Sequence, residues 1–342
     1  MKKQFWFSCL VALSHLFFVT SCLKDMSSSS SDDGADTFKA LVLAGNEIDP
    51  NHTWSTATNT PIKVSVDLQE GQEYQVFICL TDPATDSEAK FLGKGTITSG
   101  ETKTIYITKP KDATKLFAVC FNNEGFGVSQ PLTGDEIVFA SEEYNLYRKE
   151  MPYYNSVYYA FEIPGSNTSR DYDFNDLILQ VSAIHNINDT TYTCFLNIAA
   201  VGTDVETYLL YDGNQIGIEI HERMGIDNKN TVNTSGGVTQ EPCFIGELTF
   251  KTPDVDITSL PFSLNTVTST GTIETITPES YSPAPLYIVV SGDTNGKWRW
   301  VKEGGNIGLA FPKFVTWGTN QQNGSDWYQG SNAISSHIIK AW

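Results

Sequence analysis

Four short runs, PIKVSVDL, EYQVFICL, TKTIYITK and KLFAVCFN, follow one another between Pro61 and Asn122. Each is rich in β-branched and aromatic residues, and turn-forming stretches (EGQ, SGE, KDA) separate them. The cadence resumes in SVYYAFEI, DLILQVSAI, TYTCFLNIA, CFIGELTF, FSLNTVT and LYIVV. No helix-period run of convincing length appears, except a short one near SEEYNLYRKE. An all-β chain is therefore expected, and 342 residues are enough for two domains. The expected division is a small Ig-like β-sandwich over 38–132 and a second β-sandwich-like domain over 133–342. The boundary is placed near Thr133, where a stretch rich in Tyr and charge begins.

The first residues read differently. Lys2 and Lys3 precede FWFSCLVALSHLFFV, an apolar core too short for a comfortable membrane span. It ends in Val19-Thr20-Ser21-Cys22, which resembles a bacterial lipobox. Residues 1–21 are thus expected to be a signal peptide, with Cys22 carrying a lipid. LKDMSSSSSDDGAD cannot bury apolar area, so 22–37 is expected to be a disordered Ser/Asp tether. The expected setting is the outer membrane, reached through the lipid anchor at Cys22. Acidic residues soon after the lipidated cysteine resemble the surface-export signals of Bacteroidetes lipoproteins; a solvated linker has the same composition. The formal charge of −18 argues against nucleic acid as a partner and suits divalent cations.

An envelope location permits disulfides. Cys79 with Cys120, and Cys194 with Cys243, are candidate pairs, and buried free thiols are the alternative. No CxxC pair is present, which argues against a thiolate metal site.

The densest chemistry lies in SNTSRDYDFNDLILQV, Ser166–Val181. If the stretch is extended, Asp171, Asp173 and Asn175 share one side, and Tyr172 and Phe174 anchor the other. Two carboxylates about 5 Å apart repel by roughly 3 kcal/mol at an effective dielectric near 20. The loop must solvate that charge or fill it with a cation. The ligand set Asp171, Asp173, Asn175 and Asp176 is all hard oxygen, which favours a structural Ca²⁺. An EF-hand is rejected, because Asp176 stands where its loop needs Gly and Ser182 where it needs Glu.

DYDFNDLIL resembles the signature of LruC-domain proteins, a family of Bacteroidetes-type envelope lipoproteins. GNQIGIEIHERMGIDNKNTVNTSG (Gly213–Gly236) is similar to that family's Gly-x-Glu-x-His strand and Val-Asn-Thr loop. WRWVKEGGNIGLAFPKFVTWGTNQQNGSDWY (Trp298–Tyr328) resembles its C-terminal aromatic pattern. The resemblance runs from about Tyr158 to the C-terminus. It implies a β-sandwich-like domain with an acidic Ca²⁺-type loop. Where the family has Phe-Glu-Asp before a Pro, this chain has Phe161-Glu162-Ile163-Pro164, and Ile163 cannot supply a ligand.

Other stretches carry fainter functional patterns. Glu219-Ile220-His221-Glu222 lacks the second His of HExxH, since residue 225 is Gly. A structural Glu219–His221 pair on one strand face is expected there. His52 and Trp54 are expected in core and loop. Trp298, Trp300, Trp317 and Trp327, with Tyr328, form a candidate sugar-stacking platform, the alternative being core. Asp189-Thr190-Thr191 resembles a short O-glycosylation sequon centred on Thr190. With no recognisable catalytic motif, a binding, adhesion or scaffolding role is expected, its partner a glycan or a surface protein. A glycan-binding module is the runner-up and a hydrolase the third reading.

Overall fold

Side-chain alternation along the strands decides how the layers stack. The computed structural model describes residues 32–148, 156–163, 170–185, 191–252, 254–292 and 296–340. These fall in one compact unit. Cys22, the signal segment and Thr190 lie outside the described residues.

Helix α1 (Asp32–Leu41) comes first. It is followed by β1 (Ala57–Val66), β2 (Glu73–Cys79), β3 (Phe91–Thr98), β4 (Thr102–Pro110), β5 (Leu116–Phe121), β6 (Phe126–Leu132), β7 (Glu136–Phe139) and β8 (Leu146–Tyr147). The strand orders β4-β1-β7 and β3-β2-β5-β6-β8 give two sheets. Ile62, Val64, Val76, Ile78 and Ile107 fill the space between them. Each such side chain contributes about 1.5–3 kcal/mol by leaving water.

The later elements are β9 (Ser156–Phe161), β10 (Leu177–His185), β11 (Tyr192–Val201), β12 (Thr207–Tyr211), β13 (Asn214–Gln215), α2 (Ile220–Met224), β14 (Cys243–Phe250), β15 (Phe262–Val267), β16 (Ile273–Ile276), β17 (Tyr287–Ser291), α3 (Ile307–Ala310) and α4 (Pro312–Thr319). The central sheet runs β14-β11-β10-β9-β17, and a smaller one runs β13-β12-β15-β16. One face of the central sheet, with Tyr159, Leu179 and Leu196, packs on Leu209, Phe262 and Leu264 of the smaller sheet. The other face, with Tyr158, Ile178 and Val290, packs on α1, α3, α4 and the C-terminal tryptophans. Both faces are covered, which explains why β9 reads as a nearly unbroken apolar run.

The fold is mostly antiparallel β and sandwich-like. Its boundaries differ from those expected. Asp32–Thr37, assigned to the tether, lie in α1. Ala35 and Phe38 there, with Val42 just past the helix end, form one buried stripe, and Phe38 belongs to the C-terminal core, not to the sandwich expected from residue 38. β7 and β8 lie beyond Thr133, yet β7 pairs with β1 and β8 with β6. The described part of SEEYNLYRKE holds β8 and no helix, while α1 and α4 are helices the periodicity did not announce. Helix α4 opens with Pro312 in its first turn, where the missing N–H is not needed. The two sets of sheets meet where Thr56 N–H donates to Val289 O (2.8 Å) and Val289 N–H to Trp54 O (2.7 Å).

All four described cysteines are free. Cys79 and Cys120 sit on neighbouring strands but in separate cores on opposite faces of their sheet. Cys243 lies opposite Ile198, four residues along β11 from Cys194. Neither pair meets the short Cα separation a disulfide demands. Among the described residues no helix is long and apolar enough to cross a membrane.

Candidate metal centre

β9 and β10 pair with Phe161 opposite Leu177. The chain between them therefore turns over at one end of the central sheet. Glu162 leaves β9, and Asp176 enters β10. Among the described residues just before Asp176 the backbone is not extended: Tyr172 and Phe174 have φ of 57° and 54°, a left-handed conformation rare for aromatic residues. This corrects the extended backbone expected of the loop, while the two sides remain, with Asp171 and Asp173 on one and the aromatic rings in the core on the other. Tyr172 N–H donates to Glu162 Oε1 at 3.1 Å and Phe174 N–H to Glu162 Oε2 at 3.2 Å. Their rings pack against Phe38 of α1, with centroids 5.2 and 6.4 Å away. Contacts on both sides thus hold a strained conformation in place.

Asn175 organises the acids around it. Its N–H donates to Asp173 Oδ1 (3.1 Å), and its Nδ2 to Asp173 Oδ2 (2.6 Å) and Val301 O (3.0 Å). Val301 O is a pure acceptor, so it fixes the amide orientation. Asn175 Oδ1 is left fully buried with no hydrogen-bond partner. Such an orphan acceptor costs about 1–3 kcal/mol unless something fills it. Gly304 N–H also donates to Asp173 Oδ2 (3.0 Å).

Carboxylate oxygens of Glu162, Asp171 and Asp173 lie within 4.8 Å of one another. Of the sequence-expected set, Asp171 and Asp173 are brought together, and Asn175 sits beside them. Asp176 is not one of the three whose oxygens lie that close: its Oδ2 accepts the Ile163 N–H at 2.6 Å, yet burial and the charges of Glu162, Asp173 and Asp171 raise its pKa well above the usual carboxylate range. The Ile163 side chain lies in the core, so this residue meets the site through its backbone alone. Two acids come from outside the motif, Glu162 and Glu303. A Cβ on Gly202 would run into Asn175 Oδ1 and stand 2.8 Å from Glu303 Oε2, so both oxygens crowd the same point.

The electrostatics follow from burial without neutralisation. Burial, then the Asp171 charge, pushes the Glu162 carboxyl up to about 8. Burial and the charges of Asp171, Glu162 and Glu303 raise Asp173 well above the usual carboxylate range. Burial also raises Asp171. Glu303 goes to about 7, through burial and then Asp171. Arg170, whose guanidinium lies 3.9 Å from the Tyr281 ring centroid, offsets only part of the charge at Glu162. A hard divalent cation held by Glu162, Asp171 and Asp173 would relieve this repulsion.

The tryptophan platform is not found. Trp298, Trp300, Trp317 and Trp327 are at most 2% exposed. They pack edge-to-face and tilted against one another and Phe314, covering the central sheet. Their area serves the core and leaves no open ring face for a sugar. Tyr328 is buried with them.

Glu219 and His221 do pair, at 2.7 Å, but not on a strand: Glu219 caps α2, accepting from Glu222 N–H at 2.9 Å. His221 Nε2 reaches Thr203 O at 2.9 Å. Both nitrogens therefore face acceptors, as an imidazolium requires. His52 is the opposite case. Its Nδ1 accepts the Trp54 N–H (2.9 Å), so Nε2 carries the proton given to Trp317 O (2.8 Å). Burial lowers its pKa to about 4 and keeps it neutral.

No protein-family model and no curated protein matches the chain.

Proposed function

We propose that the chain is an envelope lipoprotein of the LruC-like type, whose larger β unit binds a structural Ca²⁺ and serves a non-catalytic binding or scaffolding role. The observation that carries the cation reading is the convergence of Glu162, Asp171 and Asp173, whose carboxylate oxygens lie within 4.8 Å of one another beside Asn175, a buried residue with an unpartnered Oδ1. Glu162, Asp171 and Asp173 are the expected carboxylate ligands, Asn175 Oδ1 a neutral one, and Asp176 and Glu303 further acids within the same charge cluster. Oxygen-only donors of this number suit Ca²⁺ better than Mg²⁺, which keeps more of its water. The cation would join the end of β9, the entry to β10 and the 301–304 turn, and so fix the end of the central sheet. The lipid-anchored setting rests on the Lys2-to-Cys22 sequence pattern.

Thermal melting of the chain from Asp32 onward, with calcium and with chelator, tests the cation reading. A ligand of the native state at a hundred times its Kd stabilises it by about 2.7 kcal/mol. The expected result is a melting point several degrees higher in calcium for wild type, and little shift for Asp171→Asn. An identical calcium response in both proteins, or none in wild type, rejects the site.

A further inference from the structure

The two left-handed residues of the acidic loop face two ways. Their N–H groups hold Glu162, a carboxylate of the cluster. Their rings hold α1, through Phe38. Tyr172 adds a hydrogen bond from its hydroxyl to Gly34 O (3.1 Å), in the first turn of α1. The backbone carbonyl of Tyr172 accepts the Ile307 N–H (2.9 Å), and the Asn306 side chain that caps α3 also reaches Leu41 O (3.4 Å), at the end of α1. On the far side, Gly308 sits against Val42 O so closely that a Cβ would stand 2.5 Å from it. Helix α1 therefore has its seat on the loop and on the α3 cap beside it. Contacts to β-strands of the N-terminal sandwich do not provide that seat: Phe38 and Val42 belong to the other core.

From this we infer that cation binding at the acidic loop is coupled to the docking of α1. The inference rests on the calcium reading above and adds regulation to it. Without a cation, the carboxylates repel one another, and the Tyr172–Phe174 backbone bears that repulsion directly. A shift of the two N–H groups away from Glu162 must rotate the two rings on which Phe38 sits. With a cation bound, the loop is clamped in the conformation that presents those rings. The cation thus controls how firmly the N-terminal helix is held to the larger β unit.

Reciprocity makes this testable from both ends: what the cation does to the helix, the helix must do to the cation. Hydrogen exchange of residues 34–43, in calcium and in chelator, reads the first arm. Calorimetric calcium affinity of Phe38→Ala and Tyr172→Phe reads the second. Tyr172→Phe keeps the ring and removes the hydroxyl, with its bonds to Gly34 O and to Arg170. Phe121→Ala, in the remote outer cluster of the N-terminal sandwich, reports general destabilisation.

Calcium is expected to slow exchange in α1 by at least about 5-fold, the lower end of ordinary coupling between sites. Phe38→Ala is expected to weaken calcium binding by a similar factor, Tyr172→Phe by less, and Phe121→Ala not at all. Calcium binding with unchanged α1 exchange and unchanged affinity in Phe38→Ala overturns the coupling and leaves the calcium site standing. Absence of calcium binding in wild type overturns both. Equal weakening in Phe38→Ala and Phe121→Ala assigns the effect to global stability and overturns the coupling.

Discussion

At the scale of single residues, the site depends on one position with no side chain. Gly202 follows β11, and its N–H donates to Asp176 O at 3.0 Å. Asn175 Oδ1 and Glu303 Oε2 occupy the space a Cβ would need. Asn175 cannot swing aside, because Val301 O and Asp173 hold its amide. Gly202→Ala should destabilise the protein by about 1–3 kcal/mol, the usual range for overpacking a filled interior. It should also weaken calcium binding. Urea unfolding alongside calcium titration checks this, and wild-type affinity in the variant would remove Gly202 from the site. The acidic motif itself was legible, since DYDFND crowds charge as no ordinary turn does. Glu162 carried a fainter signal, a lone acid ending an otherwise apolar strand. Glu303 carried none, because its relevance depends on a turn more than a hundred residues away in the chain.

Among the elements, α2 shows how a short helix holds in the core. Five residues form too little helix to persist alone. Glu219 compensates by accepting from Glu222 N–H, Thr207 N–H (2.9 Å) and His221 Nδ1. Burial alone would lower the His221 pKa, but the bonds to Glu219 and the Thr203 carbonyl outweigh it and raise it. The stability from this raised pKa is therefore fully present below 6.5 and is lost as pH rises through the folded-state value. Glu219→Ala removes the cap and leaves a buried partner unpaired, so a loss of about 3 kcal/mol is expected. It should also abolish the part of the alkaline decline due to His221. Urea melts of wild type and variant at pH 6 and pH 9 would show it, and a variant decline as steep as the wild type's would refute it. The strand reading of Gly213–Gly236 missed this helix because IEIHE alternates well enough for either structure. The backbone choice came from the cap and from Gly225, whose φ of 70° ends the helix.

For the whole molecule, the acid cluster sets the pH response. Glu162 has a folded-state pKa near 8 against an ordinary 4.5. The native state therefore holds more protons than the unfolded chain between those values. Stability of the metal-free protein should fall as pH rises across that window. Calcium needs the deprotonated carboxylates, so its stabilisation should grow over the same window. Melting of resin-stripped protein at pH 5, 6.5 and 8, with and without calcium, measures both slopes. A calcium increment equal at pH 5 and pH 8 would contradict the assignment of these carboxylates as ligands.

The sequence by itself determined ten of the strands, because period-two alternation and turn residues are local properties that act within a few residues; β3, β6–β8, β12, β13 and β16 were not among the runs it marked. It also marked where negative charge is concentrated. Only the tertiary structure decided which residues complete that concentration and which aromatics are hidden. Trp298 and Trp300 share a strand-like spacing whether they face solvent or core, and burial against the central sheet made the choice. Phe38 likewise follows a polar, serine-rich stretch, and its place in the core depends on rings at Tyr172 and Phe174 that no local pattern connects to it. Packing and charge act through space, and in this fold the groups that meet at the acidic loop come from four separate parts of the chain.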